Sequence, residues 1–139
     1  MKTLKLITLS LLFSITFFSC ESDDDSSSSE PTTQELLAHK WFIKSVKPVG
    51  NPIHVNNDCE ATSYYDFKSD GTFITDTFYV NSVTNECLSG GYYEGTYTLL
   101  DNNETIHVTL GSVSGNYTIT AISTSELILT APGEFVFFR

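Results

Sequence analysis

Three cysteines, three histidines and seventeen carboxylates carry most of the available chemistry in this 139-residue chain, and their spacing limits it. His39, His54 and His107 stand too far apart to form a short metal motif, and neither Cys59 nor Cys87 belongs to a Cys-x-x-Cys pair. The run Asp66-Phe67-Lys68-Ser69-Asp70-Gly71 has the outline of a calcium loop, but Lys68 occupies a spot where an oxygen ligand is needed, so a turn is expected. The chain holds no Gly-x-Ser-x-Gly, no His-Glu-x-x-His and no phosphate-binding glycine loop. An enzyme would need Glu60, Asp66 or His107 to converge in one pocket. The expectation is therefore a non-enzymatic protein with no cofactor, no metal and no catalytic residue.

Cys20 is different, because of its flanks. Met1-Lys2-Thr3-Leu4-Lys5 precedes an apolar run from Leu6 to Phe18 and the small residue Ser19. A basic start, about 13 apolar residues and a small residue before a break predict a secretory signal peptide over residues 1–19. The run falls short of the roughly 20 apolar residues of a transmembrane helix. After Cys20 the chain reads Glu21-Ser22-Asp23-Asp24-Asp25 and then four serines. Such a segment cannot bury enough apolar surface to offset chain entropy, so residues 20–33 are expected to form a disordered tether.

Ser19-Cys20 resembles the lipobox of bacterial lipoproteins, in which the signal is cut before a cysteine that is then lipidated. Phe17 stands where the pattern usually has leucine. Ser22-Asp23-Asp24-Asp25 resembles the acidic signal that follows the lipidated cysteine in Bacteroidota-type lipoproteins bound for the cell surface. These resemblances imply a protein anchored to the outer membrane through Cys20.

Charge and cysteine count agree with export. Loss of Lys2 and Lys5 with the signal takes the formal charge from −10 to −12. Nucleic acid requires a basic face, and an anionic lipid surface would repel this chain, so neither is an expected electrostatic partner. The remaining pair, Cys59 and Cys87, is even in number and exported, which predicts a disulfide.

The folded part is expected at residues 34–139 as one domain. A short helix is predicted at 33–38 with Thr33 as its cap. Strands are predicted at 41–46, 61–68, 72–80, 92–100, 105–110, 116–122, 126–130 and 134–138. Ser69-Asp70-Gly71, Asp101-Asn102-Asn103 and Pro132-Gly133 provide turns. Alternation places Tyr93, Gly95, Tyr97 and Leu99 on one face, and Ile106, Val108 and Leu110 together on another. Eight short strands joined by turns predict an all-β, eight-stranded antiparallel up-and-down barrel; a two-sheet sandwich is the alternative.

The order of motifs then resembles the small lipocalin-like domains found on bacterial lipoproteins: a helix, Lys40-Trp41, Cys59, Phe67-Lys68-Ser69-Asp70-Gly71-Thr72, Cys87, Gly95-Thr96-Tyr97-Thr98-Leu99 and Phe137-Phe138-Arg139. The resemblance implies that Trp41 and Arg139 meet at the closed end of the barrel, although His39 stands where that superfamily has glycine. Tyr65, Phe67, Phe73, Tyr93, Tyr97, Tyr117, Phe135 and Phe137 are candidates to line the interior. Ring faces and phenol hydroxyls suit an amphipathic small molecule. Eight strands leave an interior that side chains fill or that holds one small ligand, and a narrow one is expected here. The implied function is a small apolar or amphipathic molecule bound at the open mouth. The competing expectation is a filled barrel that contacts an envelope protein or polymer through exposed apolar residues near 49–55 or 79–83. A monomer is expected.

Overall fold

The computed structural model describes residues 30–139. The expected signal peptide, Cys20 and most of the expected acidic tether lie outside the described residues. The first element is the helix α1, Thr33–Leu37. Its cap is Thr32 rather than the expected Thr33. The Thr32 hydroxyl accepts from the Glu35 amide, and the Glu35 carboxylate accepts from the Thr32 amide at 2.7 Å. Five residues are too few for a helix to persist alone. This reciprocal cap and the complete burial of Leu37 hold it.

Nine strands follow: β1 Lys40–Lys47, β2 His54–Val55, β3 Tyr64–Phe67, β4 Thr72–Val80, β5 Cys87–Leu100, β6 Thr105–Leu110, β7 Val113–Ile122, β8 Glu126–Thr130 and β9 Glu134–Phe138. All pairings are antiparallel. β1 and β3 to β9 pair in chain order, and β9 returns to β1 from Phe42↔Phe138 to Lys47↔Glu134. Eight strands therefore close into the expected up-and-down barrel, while the two-residue β2 rides on the outer edge of β1 through Ser45↔Val55 and Val46↔His54. The sandwich alternative does not form.

Three local expectations need correction. The predicted strand at 61–68 begins as a 3-10 turn, Glu60–Thr62, and only Tyr64–Phe67 is extended. There the Asn57 side chain accepts from the Cys59 and Glu60 amides and closes a tight turn before the strand. β5 runs from Cys87 rather than from 92, because its start pairs with β4 as far as Val80, and the disulfide ties Cys87 to Cys59. β7 begins at Val113 rather than 116, so the β6–β7 connection is only Gly111-Ser112. Gly111 provides the positive φ that this tight connection requires.

The barrel has two unlike ends. At one end lie α1, the Lys68–Gly71 turn, the left-handed run Asp101-Asn102-Asn103 and Arg139. Here Trp41, Phe67, Phe73, Ile106, Leu127, Leu129 and Phe137 are fully buried around Leu37. The Trp41 indole N–H donates to the Leu37 carbonyl at 3.1 Å, so the helix end and the first strand close this floor together. The Tyr97 hydroxyl donates to the Lys68 carbonyl at 2.9 Å. At the other end lie the β1–β3 loop, the β4–β5 hairpin and the β6–β7 turn, and no α-helix among the described residues covers them.

Candidate functional site

The open end is where the barrel interior meets solvent. Alternation along β6 turns Ile106, Val108 and Leu110 inward, and their register partners Tyr117, Gly115 and Val113 on β7 face the same way. Val108, Leu110, Val113, Ser114, Gly115 and Tyr117 line a cavity of about 120 Å³. Its walls are mostly apolar, with one phenol at the inner end. Gly115 explains the space: a side chain built on it would meet nothing within 4 Å. On the facing strand, Gly95 does the opposite. A Cβ there would collide with the Thr109 carbonyl oxygen, so only glycine lets the end of β6 cross close over β5 and seat Leu110.

A layer of aromatic rings separates this cavity from the floor. Tyr65 on β3 packs edge-on to Phe73 at 5.2 Å and against Phe137 at 5.0 Å. It reaches across the barrel to Tyr117, and the two phenol oxygens stand 3.5 Å apart. Tyr117 in turn meets Phe135 edge-on at 6.2 Å. Burial, followed by the neighbouring Tyr117, pushes the Tyr65 phenol well above its ordinary range, so it stays a neutral hydroxyl. Thr75, the register partner of Tyr65, shares its inner wall. It is 6% exposed, and its hydroxyl has no hydrogen-bond partner within the protein.

The eight aromatic residues expected to line the interior thus divide, with Phe135 packed beside Tyr117 and Phe137 buried in the floor. Tyr117 lines the cavity, and Tyr65 meets it through the Tyr117 hydroxyl. Phe67, Phe73 and Tyr97 are buried in the floor and line none of this space, because they stand at the closed-end portions of β3, β4 and β5. Tyr93 is 55% exposed. Its strand outruns its neighbour: β6 pairs with β5 only from Thr96 onward, so nothing flanks Tyr93 on that side, and its ring lies over Gly91. The residues missed by sequence reasoning are Val108, Leu110, Val113 and Gly115. The inward alternation of Ile106, Val108 and Leu110 was visible; what was not is that a glycine stands opposite Val108.

Cys59 and Cys87 are joined, with their Cα atoms 5.6 Å apart. The bond ties the turn before β3 to the start of β5, both at the open end. At the closed end the Arg139 guanidinium lies 5.5 Å from the centre of the Trp41 ring. The histidines disperse. His54 contacts the Glu60 carboxylate at 2.9 Å, and His107 contacts the Asn116 side chain at 2.6 Å. The His54 contact is the main reason that the Glu60 carboxyl is held below its ordinary range. Asp66 pairs with Lys68 at 2.6 Å, and the Asp70 carboxylate accepts from the Thr72 amide at 2.9 Å, a turn rather than a calcium loop. Among the described residues no group of three or more His, Cys, Asp or Glu side chains is placed to hold a metal ion.

A larger concavity of about 730 Å³ lies outside the barrel near α1, lined by His39, Lys40, Asp66, Lys68 and Asp70 among others. It is an open, largely polar trough in which Lys68 pairs with Asp66, and it lacks the mostly apolar lining of a small-molecule site. The barrel mouth is smaller and also open to solvent, with Val113 68% exposed, but its lining is mostly apolar.

Comparison with known proteins follows this geometry. The family model for a lipocalin-like domain matches residues 37–129. A lipocalin-like protein from Bacteroides uniformis has a similar structure, with 15% identity, a TM-score of 0.56, and coverage of 74% of this chain and 97% of that one. An uncharacterized protein from Bacteroides eggerthii is similar at 12% identity and a TM-score of 0.55, covering 74% of this chain and 98% of its own. No curated protein matches the chain. The family match spans most of the folded part, from the helix residue that plugs the floor to the eighth strand, and the chain belongs to the family of lipocalin-like domains.

Proposed function

We propose that this protein is a lipid-anchored, non-enzymatic binding module of the cell envelope that holds a small apolar or amphipathic molecule at the mouth of its barrel. One observation carries the binding half: the apolar cavity of about 120 Å³ beside Gly115, opening over a filled aromatic floor. Engineered apolar cavities of roughly 150 Å³ take up a benzene-sized ring, so this space suits a ring or a branched chain end, with any larger remainder lying across the rim. The anchoring half rests on Ser19-Cys20 and the acidic run after it. The reading is of a domain on the outer membrane, and Ser22-Asp23-Asp24-Asp25 supports exposure at the cell surface.

A second reading draws on the rim itself. Val49, Ile53, Val55, Tyr79, Val80 and Val83 are exposed in the β1–β3 and β4–β5 connections of the open end and the strand ends beside them, Val83 at 87%. Such a rim suits contact with an envelope protein. It is compatible with a ligand held beneath.

Native mass spectrometry of the protein recovered in mild detergent from its own cells tests both halves. The expected spectrum shows a chain beginning at an acylated Cys20, with a small-molecule adduct that disappears on unfolding. An unmodified Cys20 would overturn the anchor, and a bare polypeptide would favour the protein-partner reading.

A further inference from the structure

The upper interior holds three hydroxyls with little to bond to. Thr75 has no partner, and Tyr65 and Tyr117 have only each other, at the outer limit of hydrogen-bond length. A buried hydroxyl left unsatisfied costs about 1–3 kcal/mol, so such groups are kept where something else uses them. The phenols come from opposite walls, β3 and β7, and meet at the inner end of the cavity that Val108, Leu110 and Gly115 line. A phenol held neutral donates, and two donors converging on one point suit a single acceptor atom.

We infer that the Tyr65 and Tyr117 hydroxyls form a polar clamp at the base of the mouth cavity, selecting an uncharged ligand with an apolar body and one hydrogen-bond acceptor, such as a carbonyl oxygen. This inference rests on the binding reading above and narrows its ligand class. The acceptor enters first and takes the Tyr117 O–H, with Tyr65 behind it. The apolar body stays against Val108, Leu110 and Val113. An anion is disfavoured, because it would enter a mostly apolar pocket with no cationic side chain in its lining, in an acidic protein.

The test compares two probes of matched body, acetophenone and ethylbenzene, which differ by the carbonyl oxygen. The mature chain carries Cys20→Ser so that no acyl chains compete for the probes, and binding is read by ligand-observed NMR titration. The wild-type barrel is expected to prefer acetophenone by about tenfold, in keeping with one or two net hydrogen bonds. Tyr117→Phe, which keeps the ring, should remove most of that preference, read as the ratio of the two affinities in the same variant. Tyr65→Phe should reduce the preference in the same direction and serves if the first variant folds poorly. Equal affinity for the two probes, or a preference that survives both variants, would overturn the clamp and leave the cavity reading standing. Failure of both probes to bind the wild-type barrel would overturn both.

Discussion

At the residue scale, the closed end depends on Trp41. Its ring is fully buried, its N–H is bonded to the Leu37 carbonyl, and the Arg139 guanidinium covers one side. A guanidinium over an indole contributes about 0.5–1 kcal/mol where the cation is exposed, as Arg139 is. Arg139→Ala should therefore lower unfolding free energy by about that amount and shift the Trp41 emission, both read in a single denaturant titration. Unchanged stability and emission would remove the contact from the account. The ends of this pair were legible in the sequence, because a lone tryptophan opens the first strand and a lone arginine ends the chain. The individual cavity residues were less so. Phe67 and Tyr97 share the composition of Tyr117, and only the position of each strand along the barrel axis decides which rings are floor and which are mouth.

At the element scale, strand number, order and most turns followed from alternation and from Gly, Asn and Pro punctuation. Ser69-Asp70-Gly71 turns where expected, with Gly71 at φ 88°. What escaped were elements without a hydrophobic rhythm. β2 is two exposed residues paired with β1, with His54 also reaching Glu60. The first part of β5 contains Ser89-Gly90-Gly91, which no strand pattern reveals, and it stays extended because β4 pairs it and the disulfide fastens its start. That bond closes a separation of 28 residues, for which the chain-entropy model gives about 3–4 kcal/mol. Replacing both cysteines by serine should cost roughly this much in a denaturant titration while leaving the near-ultraviolet signal of the buried rings in place, because the barrel closes through β1 and β9 without it. Loss of that aromatic signal would mean that the bond organises the barrel rather than braces its mouth.

At the scale of the whole molecule, the division of labour runs along the barrel axis. One end is sealed by a helix too short to stand alone, and its aromatic floor provides the stability of a small domain. The other end trades packing for space, with a glycine where a side chain would fit, exposed apolar loops and a disulfide bracing them. The acidic tether and Cys20 would hold the domain at a membrane that its own charge repels. The overall barrel was readable because closure is the general remedy for eight strands with exposed edges. The cavity was not, since its volume depends on the meeting of Val108 with Gly115 across two strands.

The central claim is that this space takes up a ligand, and thermal unfolding with toluene tests it most directly. At ten times its dissociation constant, toluene should stabilise the wild-type protein by about 1.4 kcal/mol, a rise of several degrees. Gly115→Phe should fold, because its ring occupies open space at an unstrained backbone position, and should show no such rise. A wild-type protein that toluene does not stabilise, or a variant stabilised equally, would contradict the account.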